Sequence, residues 1–390
     1  MHRAWWIIAG LVVALSCGTS GGGKAGSDSG SGGGPDGGTG VDGGSGGGPD
    51  AGADAGPEGS PDGGPGDGGS PGNPDAGQPD GGSGGSGFTT IRWSHLAARP
   101  EGTSEVEGEL VGGKLYSFGG FDWFKSCCTP TRHAFVYDPA TDRWSQLADM
   151  PEGVSHAGTT TDGTDIYWAG GFVEDAPRTF QIFGTVHVWR YRVASNTYEA
   201  MPDLPQPRGA GALQYLDGKF HFFGGESLGQ GYDTPEHWVL DLAGGGTTWM
   251  PAAPLPRARN HLGSTVFGGK IYAVGGQHGH DEGLVEVPDV DVYEPATDSW
   301  TRLADMPHGR GHIAQATFPF EGRILVLGGE IANGVYTDEA AAYDPVTNRW
   351  AELTPMPVKR HSGIARPMLG GFVYTTGDWS NETFLGTPER

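Results

Sequence analysis

From residue 88 onward one short pattern returns six times, and that return limits the possible folds more than anything else in the chain. An apolar run leading into two glycines occurs as KLYSFGGF, DIYWAGGF, KFHFFGGE, KIYAVGGQ and RILVLGGE. The glycine pairs are Gly119-Gly120, Gly170-Gly171, Gly224-Gly225, Gly275-Gly276 and Gly328-Gly329. A sixth copy, FVYTTGDW, keeps Gly377 and reads as having Asp378 in place of the second glycine. Successive first glycines are 51, 54, 51, 53 and 49 residues apart. Units repeated at such a spacing cannot bury an apolar face alone and must stack on one another.

A second signal follows each glycine pair. FVYDPATDRWSQLADMP, DVYEPATDSWTRLADMP and AAYDPVTNRWAELTPMP are near copies, and WRYRVASNTYEAMPDLP and WVLDLAGGGTTWMPAAPLP are looser ones. Each reads as strand, tight turn, strand. Pro139, Pro295 and Pro345 preset φ in the turn, and Asp142, Asp298 and Asn348 close its far side. Tyr137 and Trp144, Tyr293 and Trp300, and Tyr343 and Trp350 then offer large side chains at fixed positions, as one sheet needs to pack on the next. Each unit therefore holds about four strands.

The period near 50, the double glycine and the spaced Tyr and Trp resemble kelch repeats, which form β-propellers. The resemblance covers nearly everything after residue 87 and implies an all-β, six-bladed propeller over 88–390. The last unit lacks a Trp strand, whereas TTIRWSHLAARP near the start of the repeat region matches an isolated one, with Trp93 and Leu96 in the places of Trp300 and Leu303. The amino-terminal strand is thus expected to complete the carboxy-terminal blade and to leave no open sheet edge.

The residues before 88 read differently. Arg3 and the apolar run Trp5–Leu15 have the make-up of a signal peptide, expected over 1–16, and the run is too short to span a bilayer. Ala14-Leu15-Ser16-Cys17 resembles a bacterial lipobox, with Ala14 where such sites usually carry Leu. The resemblance implies that Cys17 is lipidated and that the chain is exported and anchored in the cell envelope, in the outer membrane. Cleavage after Ser16 without lipidation fits the same residues. Residues 18–87 are built from units such as GGGPDGGTG and NPDAGQPDGG and carry nine Asp, one Glu and one Lys. So little apolar surface cannot offset the entropy of ordering, and 17–87 read as a tether.

Within the repeats, aligning the units places Thr103, Val154, Arg208, Arg259, Arg310 and Arg360 at the start of the innermost strands. Two residues further on lie Glu105, His156, Ala210, His261, His312 and Ser362. Alternation with period two puts both sets on one strand face, so four arginines and three histidines are expected at one end of the channel. Guanidinium forks suit carboxylates, sulfates and acidic side chains. The competing reading is that each Arg holds the ring together by pairing with an Asp or Glu of the neighbouring blade or with strand-end carbonyls.

The net charge of −23 excludes a nucleic-acid surface, which needs a basic patch. His278, His280, Asp281 and Glu282, with Glu286, Asp289 and Asp291, have metal-donor chemistry but read equally as a solvated loop, so no metal or other cofactor is assigned. Cys127 and Cys128 are adjacent and make no zinc framework; a vicinal disulfide and a pair of free thiols both remain open. Galactose oxidase is a copper enzyme with kelch blades; its chemistry needs a Tyr bonded to a Cys, and the ring expected here is one blade short. The functional expectation is a monomeric module that binds a protein or glycan, an anionic one among them, through Arg208, Arg259, Arg310, Arg360, His156, His261 and His312. Trp123, Phe124 and Phe183 would add stacking surface, and the membrane would be met only through the anchor. The alternatives are an epimerase- or lyase-like enzyme on an acidic sugar, as the sialic-acid epimerases related to bacterial kelch proteins suggest, and a structural envelope protein without a small ligand.

Overall fold

A computed structural model describes residues 87–122, 129–174, 182–227, 232–279 and 283–390. The expected leader, Cys17, the tether up to residue 86, Trp123, Phe124, Cys127, Cys128 and His280–Glu282 lie outside the described residues.

Six four-stranded antiparallel sheets follow one another. Blade 1 is built from Glu107–Val111, Lys114–Phe118, Ala134–Asp138 and Arg143–Gln146, counted from the axis outward. Blades 2 to 5 repeat this order, with innermost strands Gly158–Thr161, Ala212–Leu216, Gly263–Phe267 and Thr317–Phe320. In blade 6, Ile364–Met368, Gly371–Thr375 and Thr383–Glu389 are completed by Thr90–Leu96, which pairs antiparallel with Thr383–Glu389 and sets Trp93 opposite Gly386. The closure expected from the isolated Trp strand is the observed one.

One apolar cluster fills each of the six junctions between consecutive blades. Phe118, Ile166, Trp168 and Tyr191 pack blade 1 on blade 2, and Leu115, Tyr137, Ile364 and Val373 close blade 6 on blade 1. The Tyr and Trp of each turn unit also carry a polar connection between blades. Asp298 Oδ1 accepts from Tyr293 Oη at 2.8 Å and from the Ala253 N–H of the preceding blade at 2.8 Å, while Trp300 Nε1 donates to Ala253 O at 2.8 Å. Asp142 with Ala97, and Asn348 with Ala304, repeat the arrangement. Blade 2 achieves it with Asn196, Tyr191 and Tyr198.

The glycine pairs lie at the inner ends of these junctions. Both glycines of each pair have positive φ. A Cβ on Gly119, Gly170, Gly275 or Gly328 would come within 2.5 Å of a carbonyl oxygen of the next blade. The second glycine donates its N–H to that same carbonyl, as Gly171 does to Arg208 O at 2.7 Å and Gly276 to Arg310 O at 2.8 Å. By this bond Gly377 is a second glycine, since its N–H reaches Thr103 O at 3.0 Å. The lost residue of the sixth copy is therefore the first glycine, replaced by Thr376 at φ 58°, and Asp378 lies one place beyond. Thr376 accommodates its Cβ by turning its hydroxyl to Thr103 O and to Thr103 Oγ1, 2.9 and 2.8 Å away.

Candidate functional site

Just before each innermost strand one residue adopts the left-handed conformation. These are Glu105, His156, Ala210, His261, His312 and Ser362, with φ between 50° and 56°. Six non-glycine residues in that region, one per blade, hold a conformation that costs roughly 1–3 kcal/mol each, which the surrounding structure has to offset. Their backbones pass hydrogen bonds around the axis. Ala210 N–H donates to His156 O, His261 to Ala210 O, His312 to His261 O and Ser362 to His312 O, at 2.9 to 3.1 Å. The result is a collar at the end of the channel from which the side chains project inward.

Three of those side chains are imidazoles in mutual contact. Ring centroids of His261 and His312 are 4.0 Å apart, those of His156 and His261 4.9 Å, and those of His156 and His312 6.4 Å. Glu105 reaches into the same space, with Oε2 3.4 Å from His156 Nε2 and Oε1 3.5 Å from His312 Nε2. His361 Nδ1 stands 3.6 Å from Glu105 Oε1, and Ser362 Oγ donates to the same oxygen. A cavity of about 30 Å³ lies among these groups, lined further by Glu107, Gln315 and Gly211. Gln315 is held in turn by Arg366, which donates to Gln315 O and Oε1, each at 2.7 Å, and to both carboxylate oxygens of Glu109, at 2.8 and 2.9 Å.

The arginines are not in this space. Arg208, Arg259, Arg310 and Arg360 are buried inside their own blades. Arg259 donates to Gly275 O and Ala273 O and pairs with Asp291 at 3.0 Å. Arg310 donates to Gly328 O and Glu339 O, Arg208 pairs with Glu236 at 2.8 Å over the Trp238 ring, and Arg360 pairs with Glu382. The four guanidinium groups expected at the channel mouth therefore lie within their blades, on strand-end carbonyls and carboxylates, and are not brought together with the histidines. The reason is the left-handed residue two places on. It breaks the strand, so period-two alternation does not run through the segment, and the chain turns Arg into the blade and His toward the axis.

The mouth is acidic instead. Burial raises Glu105 to about 8, with the neighbouring Glu330 adding to the rise and the Ser362 hydrogen bond opposing it. Burial likewise raises Glu330 to about 7, Glu286 to about 9, and Glu107 well above the carboxylate range. His361 is held neutral by burial, down to about 3. Glu286 and Glu330 approach the histidines through His312, whose Nδ1 is 3.1 Å from Glu330 Oε2. No regular feature of the repeat marks Arg366, which occurs in one blade only, whereas Glu330 shares its place after the glycine pair with Glu226 of blade 3.

Around the mouth rise two-stranded ribbons that the repeat pattern did not reveal. They are Phe172–Glu174 with Ile182–Gly184, Glu226–Ser227 with Tyr232–Asp233, Gln277–His278 with Val285–Glu286, and Glu330–Ala332 with Val335–Tyr336. Single bridges such as Asn260 to Gln277 and Gly311 to Glu330 tie their bases to the collar. Phe183, Val285, Ile331 and Val335 stand exposed on them, and no Lys or Arg occurs in these strands. Of the candidate metal-donor loop, His278 pairs with Asp233 at 2.9 Å, while Asp289 and Asp291 are taken by Arg257, Arg302 and Arg259, so these residues do not converge.

Comparison with known proteins agrees with this architecture. A model of the Kelch motif matches residues 104–151, 258–307 and 319–357. The chain is 31% identical to Kelch-like protein terF of Aspergillus terreus over 254 residues, 63% of this chain and 53% of that one. It is 26% identical to human Kelch-like protein 23 over 280 residues, 71% of this chain and 46% of that one. The chain thus spans about half the length of the curated relatives it matches. The solved structure of YjhT superimposes with a TM-score of 0.59 at 17% identity, covering 67% of this chain and 88% of that one, and shares the fold. With Kelch motifs matched in three stretches and the double-glycine junction built into the ring, the chain is a kelch-repeat β-propeller.

Proposed function

We propose that this propeller is a recognition module that binds a protein through the ribbon-bordered mouth of its channel. Kelch propellers commonly serve protein interaction. The observation that carries the reading is the grouping of exposed apolar side chains, since among the described residues four of the seven exposed large hydrophobic ones, Phe183, Val285, Ile331 and Val335, stand on the mouth ribbons of blades 2, 4 and 5. Apolar side chains gathered on one face of a monomer mark an interaction surface. With Glu174 and Asp233 among them and no Lys or Arg in these strands, the face suits a partner with apolar and basic side chains. This replaces the anionic ligand expected from the arginines. A carboxylated sugar would meet none of those four guanidinium groups here, so the acidic-sugar enzyme loses the clamp it required.

The module is displayed from the envelope as a monomer, through a lipid on Cys17 and the 18–87 tether; mass spectrometry of the mature amino-terminal peptide tests the lipid. To test the mouth, the full chain and a Phe183→Ser/Val285→Ser/Ile331→Ser variant serve as baits in cross-linking and capture, with a glycan array alongside. A protein captured by the native chain and lost with the variant is the expected result. Capture that survives the substitutions, or binding of glycans alone, overturns the reading.

A further inference from the structure

We propose that the imidazoles of His156, His261 and His312, together with the Glu105 carboxylate, bind one divalent transition-metal cation at the centre of the collar. One ligand atom from each of the three histidines lies within 4.8 Å of those from the other two. Tetrahedral ligation at about 2.0–2.1 Å needs nitrogens some 3.4 Å apart, so each has to move inward by less than about 1 Å. Such a shift is within the reach of small side-chain rotations. The carboxylate oxygens of Glu105 already face Nε2 of both His156 and His312.

The surroundings are arranged as an imidazole site requires. His156 Nδ1 is bonded to Ser155 Oγ at 2.9 Å, and His261 Nδ1 to Asn260 Oδ1 at 2.5 Å. Asn260 is held in turn by Asp233 Oδ1 at 2.6 Å. His312 Nδ1 faces Glu330. An outer partner on one ring nitrogen fixes the tautomer and directs the other nitrogen inward, as metal-bound histidines show. The residues come from four different blades and are held by a collar of backbone hydrogen bonds, so the donor set is formed by the fold rather than by a mobile loop. The cavity of about 30 Å³ admits a single ion with its water and little more. Three imidazoles and one carboxylate select zinc, nickel, copper or iron over magnesium and calcium.

The test uses the purified, untagged full chain, stripped with chelator and dialysed against zinc, nickel or magnesium. We expect one equivalent of zinc or nickel per chain by elemental analysis, no magnesium, and a raised melting temperature with zinc. His156→Ala and His312→Ala should each weaken zinc binding by at least tenfold, while His187→Ala, at an exposed histidine paired with Glu152, leaves it unchanged. Should a collar variant fail to fold, copper(II) bound to the native chain decides the matter, since its electron paramagnetic resonance spectrum must show coupling to imidazole nitrogens. Absence of stoichiometric uptake, uptake that survives both substitutions, a copper spectrum without nitrogen coupling, or loss of binding in Glu330→Gln but not in His261→Ala would overturn the assignment.

Discussion

Histidines in this molecule do two different things, and the difference lies in what surrounds each ring. His221 and His237 sit in the junction between blades 3 and 4, 3.0 Å apart and packed on Tyr293. Burial lowers His221 to about 3, with His237 adding to the drop, and burial lowers His237 to about 4. In an unfolded chain both would protonate near 6.5. Between roughly pH 6.5 and 4 the unfolded state therefore binds more protons, and the stability present above that window is lost as pH falls through it. Replacing both with Phe should flatten the fall of unfolding free energy across this window, measured by urea titration at several pH values; an unchanged slope would show that other groups govern it. The repeat showed which residues share a place in each blade, and so placed His156, His261 and His312 at equivalent positions. It could not show where the neighbouring arginines point, because the left-handed turn at residues such as His261 leaves no mark in composition. Arg366 stayed hidden for another reason: a residue that departs from its repeat looks like noise until its neighbours are known.

Each blade is held to the next by the same few atoms, and its turn residue can be tested as part of that element. Asp298, at φ 44°, accepts hydrogen bonds from its own blade's Tyr293 and from the previous blade's Ala253. Asp298→Ala removes both and should cost about 2 kcal/mol in chemical denaturation. Asp298→Asn should cost under about 0.5 kcal/mol, because Asn196 and Asn348 already fill this role at the equivalent turns. Equal losses in the two variants would mean that charge, not the shared acceptor, matters. The four main strands of a blade were legible because their alternation, turns and glycines follow fixed rules of backbone geometry. The mouth ribbons were not, since two- and three-residue strands such as Glu226–Ser227 are too short to establish a period.

At the scale of the whole ring, strength depends on where it is fastened. Thr90–Leu96 is the outermost strand of blade 6, and Phe88, Ile91 and Trp93 pack into the junction of blades 5 and 6. Removing residues 87–97 would strip those side chains away and expose Thr383–Glu389 as a seven-residue edge. The expected outcome is a loss of at least about 5 kcal/mol, together with concentration-dependent aggregation seen by light scattering. A truncated chain that melts like the full one and stays monodisperse would show that the closing strand is dispensable. Six blades and their closure could be counted from the repeat because a ring admits few solutions once its unit is known. Which end of the axle carries chemistry could not, since that is decided by side chains meeting from blades fifty residues apart.

Arg366 has a further consequence. Its guanidinium reaches from blade 6 to Gln315 of blade 5 on one side and to Glu109 of blade 1 on the other. A single side chain thus clasps the closing blade to both of its neighbours, and its loss would slacken both seams at once.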